Sequence, residues 1–137
     1  MPDYTYTTSV KLQHTDSAGL LFFANQLVFA HEAYESFMEE LGVSFRSMLK
    51  RESFLIPIVH AEVDFHKPLS VGDRVKVHLR VASIGTSSFV LEYLVENGAG
   101  LKVGSCKTVH VTISKSEKKK IALPCELREA LAEYVKP

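Results

Sequence analysis

The sequence predicts an α+β domain in which one antiparallel five-stranded sheet wraps around a long central helix. Three observations carry this. A single long stretch, Gln26 to Leu41, has helical periodicity and one wide apolar face. Downstream of it, three successive runs alternate strictly between apolar and polar residues. The elements also follow in the order strand, helix, then four strands, with no internal repeat, linker or low-complexity segment, so residues 1–137 are read as one domain.

Tyr4 to Leu12 supplies Tyr and Val with Thr and Ser between them, the composition of a first strand. His14 to Gly19 breaks it with turn residues, and Asn25 is placed to cap the helix that follows. On a 100° wheel Ala30, Ala33, Tyr34, Phe37 and Leu41 share one face, with Leu27 and Met38 at its edge, and His31, Glu32, Glu35, Ser36 and Glu39 lie opposite. Gly42 stops the helix. Phe45 to Arg51 forms a short helix or turn. Ile58 to Phe65 alternates, with His60, Glu62 and Asp64 on the polar side; Val75, Val77, Leu79 and Val81 mark the next strand, and Phe89, Leu91, Tyr93 and Val95 the one after, before an Asn97-Gly98 hairpin turn. A last long strand runs from Leu101 to Ser114, and Leu127 to Tyr134 makes a closing helix.

Composition excludes several classes of function. Formal net charge is zero, against broad phosphate neutralisation and hence against a nucleic-acid partner. No apolar run reaches the roughly 20 residues of a membrane span, and the N-terminus lacks a secretory pattern, which reads as a cytoplasmic protein. Cys106 and Cys125 form neither a disulfide framework nor a metal-ligand spacing, and read as reduced thiols. The six histidines are scattered without zinc-hydrolase spacing, no Gly-x-Ser-x-Gly elbow is present, and there is no Gly-rich phosphate loop, so no metal and no cofactor is expected.

The chemistry concentrates in His14-Thr15-Asp16-Ser17-Ala18-Gly19-Leu20-Leu21-Phe22-Phe23-Ala24-Asn25. A carboxylate in a turn just ahead of a helix N-terminus lies near free backbone N–H groups and a positive dipole end. A carbonyl held by those donors is open to attack by the carboxylate or by water it activates. The same Asp also suits a purely structural turn.

This stretch resembles the signature of the hotdog-fold acyl-CoA thioesterases of the 4-hydroxybenzoyl-CoA thioesterase family, and the resemblance extends over essentially the whole chain. His31-Glu32-Ala33-Tyr34-Glu35-Ser36-Phe37 and Ile56-Pro57-Ile58-Val59-His60-Ala61-Glu62-Val63-Asp64-Phe65, with Gly72-Asp73-Arg74, are most similar to the branch acting on 1,4-dihydroxy-2-naphthoyl-CoA in phylloquinone and menaquinone biosynthesis. The resemblance implies that Asp16 is nucleophile or general base and that the Phe23 backbone N–H binds the thioester oxygen. It implies an acyl-CoA substrate, and homodimers that assemble to homotetramers with the active site between subunits. A general short- or medium-chain acyl-CoA or acyl carrier protein thioesterase, and a non-catalytic acyl-thioester-binding module, are the competing readings.

Further candidates follow from position. His14 flanks Asp16, and Phe22 offers an aromatic wall, as do Phe54 and Tyr34, which equally suit a core. His60 could meet a hydroxyl on an aromatic acyl group or serve structurally. Glu35, with Glu32 and Glu39, lies on the helix that carries the catalytic Glu in another hotdog branch; Glu35 also stands four residues from His31, in pairing distance. Lys118, Lys119 and Lys120 form a basic loop suited to the phosphates of coenzyme A. Some members of the resembled family carry adjacent basic residues where this chain has Gly85-Thr86-Ser87-Ser88.

Overall fold

The computed structural model describes residues 4–51 and 53–135. Strand β1 is Tyr4–Ser9, shorter than the predicted Tyr4–Leu12. It ends because Leu12–His14 coils into a 3₁₀ turn, closed by the His14 N–H on the Lys11 oxygen at 2.9 Å and by the Lys11 N–H on His14 Nδ1 at 2.9 Å.

Helix α1, Asn25–Glu40, starts one residue earlier than predicted, with Ala24 at the N-cap position and no side chain capping it. Asn25 is therefore not the cap. Its amide is spent across the preceding turn instead, on the oxygen of His14. At the other end Gly42 (φ +86°) closes a Schellman motif, with Gly42 N–H on Glu39 O at 3.0 Å and Val43 N–H on Met38 O at 2.8 Å. Helix α2 follows as Phe45–Arg51.

Strand β2 (Phe54–Leu55) precedes the main strands β3 (Ile58–Phe65), β4 (Arg74–Ile84), β5 (Ser88–Asn97) and β6 (Lys102–Val111). The five long strands form one antiparallel sheet, as the sequence predicted, and their spatial order is β1-β4-β5-β6-β3. The predicted final strand divides at Thr112, whose hydroxyl bonds the Ile121 oxygen at 2.8 Å. The short β7 (Ile113–Ser114) turns away to pair with β2. The β5–β6 turn has its left-handed residue at Gly100 (φ +81°). Helix α3 is Cys125–Ala132, two residues ahead of its predicted start, and buries Leu127 and Leu131.

The inner sheet face is built by Val75, Val77, Leu79 and Val81 on β4 and by Phe89, Leu91, Tyr93 and Val95 on β5, all buried. Against it α1 lays Phe29, Ala30, Ala33, Tyr34, Phe37 and Met38. Each large side chain buried there contributes about 1.5–3 kcal/mol, so α1 is fixed to the sheet by packing rather than by helix propensity. Strand β3 departs from expectation. Its alternation predicted one buried face, yet every residue except the half-buried Val63 is exposed. It is one of the two edge strands, β1 being the other, and α1 packs mainly over β4, β1 and β6.

Candidate active site

The connection between β1 and α1 is a small closed turn. Thr15 and Leu21 bridge across it, the Asp16 N–H donates to the Leu20 oxygen at 2.8 Å, and Gly19 (φ +77°) supplies the left-handed residue that an L side chain resists. Asp16 Oδ1 accepts the N–H groups of Ala18 at 2.9 Å and Leu20 at 3.3 Å, which holds the carboxylate in one orientation. Both the turn-holding and the reactive readings of Asp16 thus have an oxygen to use. Oδ1 braces the turn, while Oδ2 accepts no hydrogen bond among the described residues and the side chain is exposed.

The far side of the turn leads straight into the helix. Leu21 N–H donates to Leu69 O at 2.7 Å and Phe22 N–H to His14 O at 2.9 Å, pinning the turn to the loop before β4 and to the end of the 3₁₀ segment. The N–H groups of Phe23 and Ala24 find no acceptor among the described residues. They are the open donors of the first turn of α1, where the helix dipole is positive. The Asp16 carboxylate and these two backbone donors thereby belong to one hydrogen-bonded connection between β1 and α1.

The aromatic pair beside them is exposed, Phe22 at 45% and Phe23 at 64%, with ring centroids 4.8 Å apart. Phe23 also meets Phe65 of β3 edge-on at 6.3 Å. Leu21, Phe23, Gln26, Phe65 and Leu69 are among the residues lining a cleft of about 340 Å³. A wider cleft of about 430 Å³ lies on the outer face of the sheet, among Glu62, His78, Arg80 and Glu92, away from this turn.

The other candidates are dispersed. His14 is buried, its Nδ1 accepting from Lys11 and its ring edge-on to Phe29 at 4.9 Å, while its main-chain oxygen serves the turn. His60 is exposed on β3 and pairs with Glu62 at 3.0 Å. Glu35 pairs with His31 at 3.3 Å, the one-turn spacing read from the sequence, on the solvent side of α1. Glu32 receives the Tyr6 hydroxyl at 3.0 Å. Phe54 and Tyr34, considered as acyl-pocket walls, are built into the core. Lys118, Lys119 and Lys120 are exposed in the loop after β7, where the neighbouring Lys115 reaches the Leu49 oxygen of α2. At Gly85-Thr86-Ser87-Ser88 the basic group comes from α3: Arg128 donates to the oxygens of Gly85 at 2.6 Å and Thr86 at 3.2 Å.

One participant escaped the sequence reading. Gln26, 2% exposed, reaches from the first turn of α1 to the main-chain oxygens of Asp64 and Ser105. Its signal was present, because on a 100° wheel it falls between Ala33 and Phe37, in the middle of the buried face. Deeper in the core, Tyr93 and His110 both bond Thr108 Oγ1, at 2.8 and 2.7 Å, and His110 stacks on Phe89 at 4.7 Å. Burial, with a smaller contribution from His31, lowers the His110 pKa to about 3, and burial raises those of Tyr34 and Tyr93.

Comparison with known proteins gives a consistent result. The family model described as thioesterase-like superfamily matches residues 10–131. A 1,4-dihydroxy-2-naphthoyl-CoA hydrolase of Synechococcus elongatus is 33% identical, with 96% of each chain covered. Its counterpart in Nostoc punctiforme is 39% identical over 90% of this chain and 83% of that one. Among solved structures, a 1,4-dihydroxy-2-naphthoyl-CoA thioesterase from Synechocystis superposes with a TM-score of 0.90 at 32% identity, covering 98% of each chain. A gentisyl-coenzyme A thioesterase superposes with a TM-score of 0.82 at 27% identity, covering 93% of this chain and 98% of that one.

Proposed function

The chain belongs to the thioesterase-like superfamily and has its hotdog fold, and from that premise we propose that it is a hydrolase of 1,4-dihydroxy-2-naphthoyl-CoA, releasing the free acid and coenzyme A. One observation carries the mechanism: the unshared Asp16 Oδ2 and the unpaired Phe23 N–H stand on the same braced turn. The named relatives supply the substrate, since their 1,4-dihydroxy-2-naphthoyl and gentisyl groups are both hydroxylated aromatics.

In this reading the thioester oxygen lies against the Phe23 N–H, at the positive end of α1, where charge developing on that oxygen is stabilised. Asp16 acts at the carbonyl carbon through Oδ2, as nucleophile or as the base that takes a proton from water. Either route breaks the C–S bond, expels the thiolate and ends with water adding its oxygen to the acyl group. Phe22 and Phe23 supply apolar wall beside the acyl ring. His14 accepts the Asn25 and Phe22 donors that brace the turn through its main-chain oxygen, and His60 and Glu35, both exposed, are proposed to meet the substrate from a neighbouring subunit. We infer from the acyl group named in its relatives that the reaction serves phylloquinone and menaquinone biosynthesis, and we propose that it takes place in the cytoplasm.

The assembly proposed is a homodimer that pairs into a homotetramer. Its support is the uncovered β3 edge, lying beside exposed Phe22, Phe23 and Phe65, which a second copy would cover. Lys118, Lys119 and Lys120 are exposed on the loop whose Lys115 reaches the Leu49 oxygen of α2, and we assign them to the phosphates of coenzyme A. The test is thiol release from a panel of aryl- and alkyl-CoA thioesters. Preference for the naphthoyl compound supports the proposal. A preference of more than about tenfold for a C8 aliphatic chain, ~1.4 kcal/mol in the barrier, overturns the substrate. No hydrolysis of any thioester would leave a binding module.

A further inference from the structure

Gln26 is a polar side chain that α1 buries one turn beyond Phe23. Its Nε2 donates to the main-chain oxygens of Asp64 on β3 and Ser105 on β6, both at 3.1 Å. Two carbonyl oxygens on that side accept only the NH₂ end, so the carboxamide has one orientation. The other end, Oε1, receives no donor among the described residues. Gly104 makes room for this group, because a Cβ there would lie 2.6 Å from Nε2 and 2.7 Å from Cδ.

Gln26 lines the same cleft as Leu21, Phe23 and Phe65. The oriented carboxamide thus belongs to a cleft lined by aromatic and aliphatic side chains together with His66 and Lys67, one helical turn from the N–H proposed to hold the thioester oxygen. Among the described residues the fully enclosed side-chain polar atoms without a partner are Tyr34 Oη and His110 Nδ1, so Gln26 Oε1 keeps access to solvent, and a ligand hydroxyl that displaces the water there supplies the donor. We infer that Gln26 Oε1 accepts a hydrogen bond from a ring hydroxyl of the acyl group, which makes this cleft selective for hydroxylated aromatic thioesters over unsubstituted ones.

This assignment rests on the hydrolytic reading and deepens it. The phenolic O–H donates, whereas a naphthyl or alkyl C–H pressed against Oε1 excludes water and leaves the acceptor unpaired. Gln26 is then a specificity-determining residue whose own orientation is set by Asp64, Ser105 and the notch at Gly104.

The experiment compares kcat/KM for 4-hydroxy-2-naphthoyl-CoA, whose hydroxyl is free of the internal bond an ortho hydroxyl makes to the carbonyl, and 2-naphthoyl-CoA in the wild-type protein and in Gln26→Met. Comparing the ratio between the two proteins cancels the intrinsic reactivity of the two esters. The ratio is expected to fall about tenfold in Gln26→Met, ~1.4 kcal/mol of discrimination, whatever change the substitution makes to both esters alike. Equal ratios in the two proteins overturn the inference and leave the hydrolase assignment standing. If Gln26→Met does not fold, competitive inhibition of the wild type decides. There, binding of 4-hydroxy-2-naphthoate about tenfold tighter than 2-naphthoate supports the role, and equal binding overturns it. Absence of any thioester hydrolysis by the wild type overturns both readings together.

Discussion

Asn25 Nδ2 donates to the main-chain oxygen of His14 across 2.8 Å, and this bond joins the approach to the Asp16 turn directly to the first residue of α1. The same oxygen accepts the Phe22 N–H, so one carbonyl sets where the Phe23 N–H lies relative to the carboxylate. Asn25→Ala is expected to lose about 1 kcal/mol of stability, the usual net value of one such bond. Its kcat is expected to fall roughly tenfold with KM little changed, as when a group that acts on the transition state is misplaced. Urea unfolding and steady-state kinetics check the two effects, and an unchanged kcat would show that this tie does not position the site.

Two glycines separate backbone cost from function. Gly19 and Gly42 both adopt positive φ, +77° and +86°, and both have open space where a Cβ would stand. Replacement by alanine is therefore expected to cost each about 1 kcal/mol through conformation alone. Only Gly19→Ala is expected to lower kcat, because Gly19 shapes the Asp16 turn whereas Gly42 ends α1 at its other end. Equal loss of activity in both variants would contradict a site built on the Asp16 turn.

His110 gives a pH dependence with a definite sign. Its pKa is lowered to about 3 from an ordinary value of 6.5, first by burial and then by the charge of His31. The unfolded chain therefore binds a proton that the folded one refuses. The associated stability is fully present above about pH 6.5 and is lost as pH falls from there toward 3, at up to ~1.4 kcal/mol per pH unit for one proton. Unfolding measured between pH 7 and pH 4.5 is expected to show a slope shallower by up to one proton in His110→Phe. An unaltered slope would mean that His110 is charged in the folded protein.

The sequence was most legible where punctuation is local. Asp16, Gly19 and Gly42 announce turns because few other residues fit them, and the alternation of β4 and β5 matches their buried inner faces residue for residue. Elements set by distant contacts were less legible. Thr112 looks like continuing strand until its hydroxyl is seen on Ile121, and β3 alternates as though covered although it forms the sheet edge. Gln26 opens the predicted helix, and its wheel position puts a polar side chain in the middle of the inward face. Asn25 was read as a cap from its type, yet the structure gives its amide a longer-range partner.

The exposed β3 edge bears on assembly. Sedimentation in solution is expected to give a multiple of the 15.3 kDa chain mass, two or four. A stable monomer that hydrolyses thioesters at full rate would contradict a site completed between subunits.

The most direct test is single-turnover and steady-state hydrolysis of 1,4-dihydroxy-2-naphthoyl-CoA by Asp16→Asn. Asparagine preserves the Oδ1 acceptor that braces Ala18 and Leu20 but removes the charged oxygen that attacks or activates water. The account predicts an intact fold, KM within about threefold of the wild type, and kcat lower by roughly 10² or more, the range for loss of a general base or nucleophile. Hydrolysis at the wild-type rate by the folded variant would contradict it.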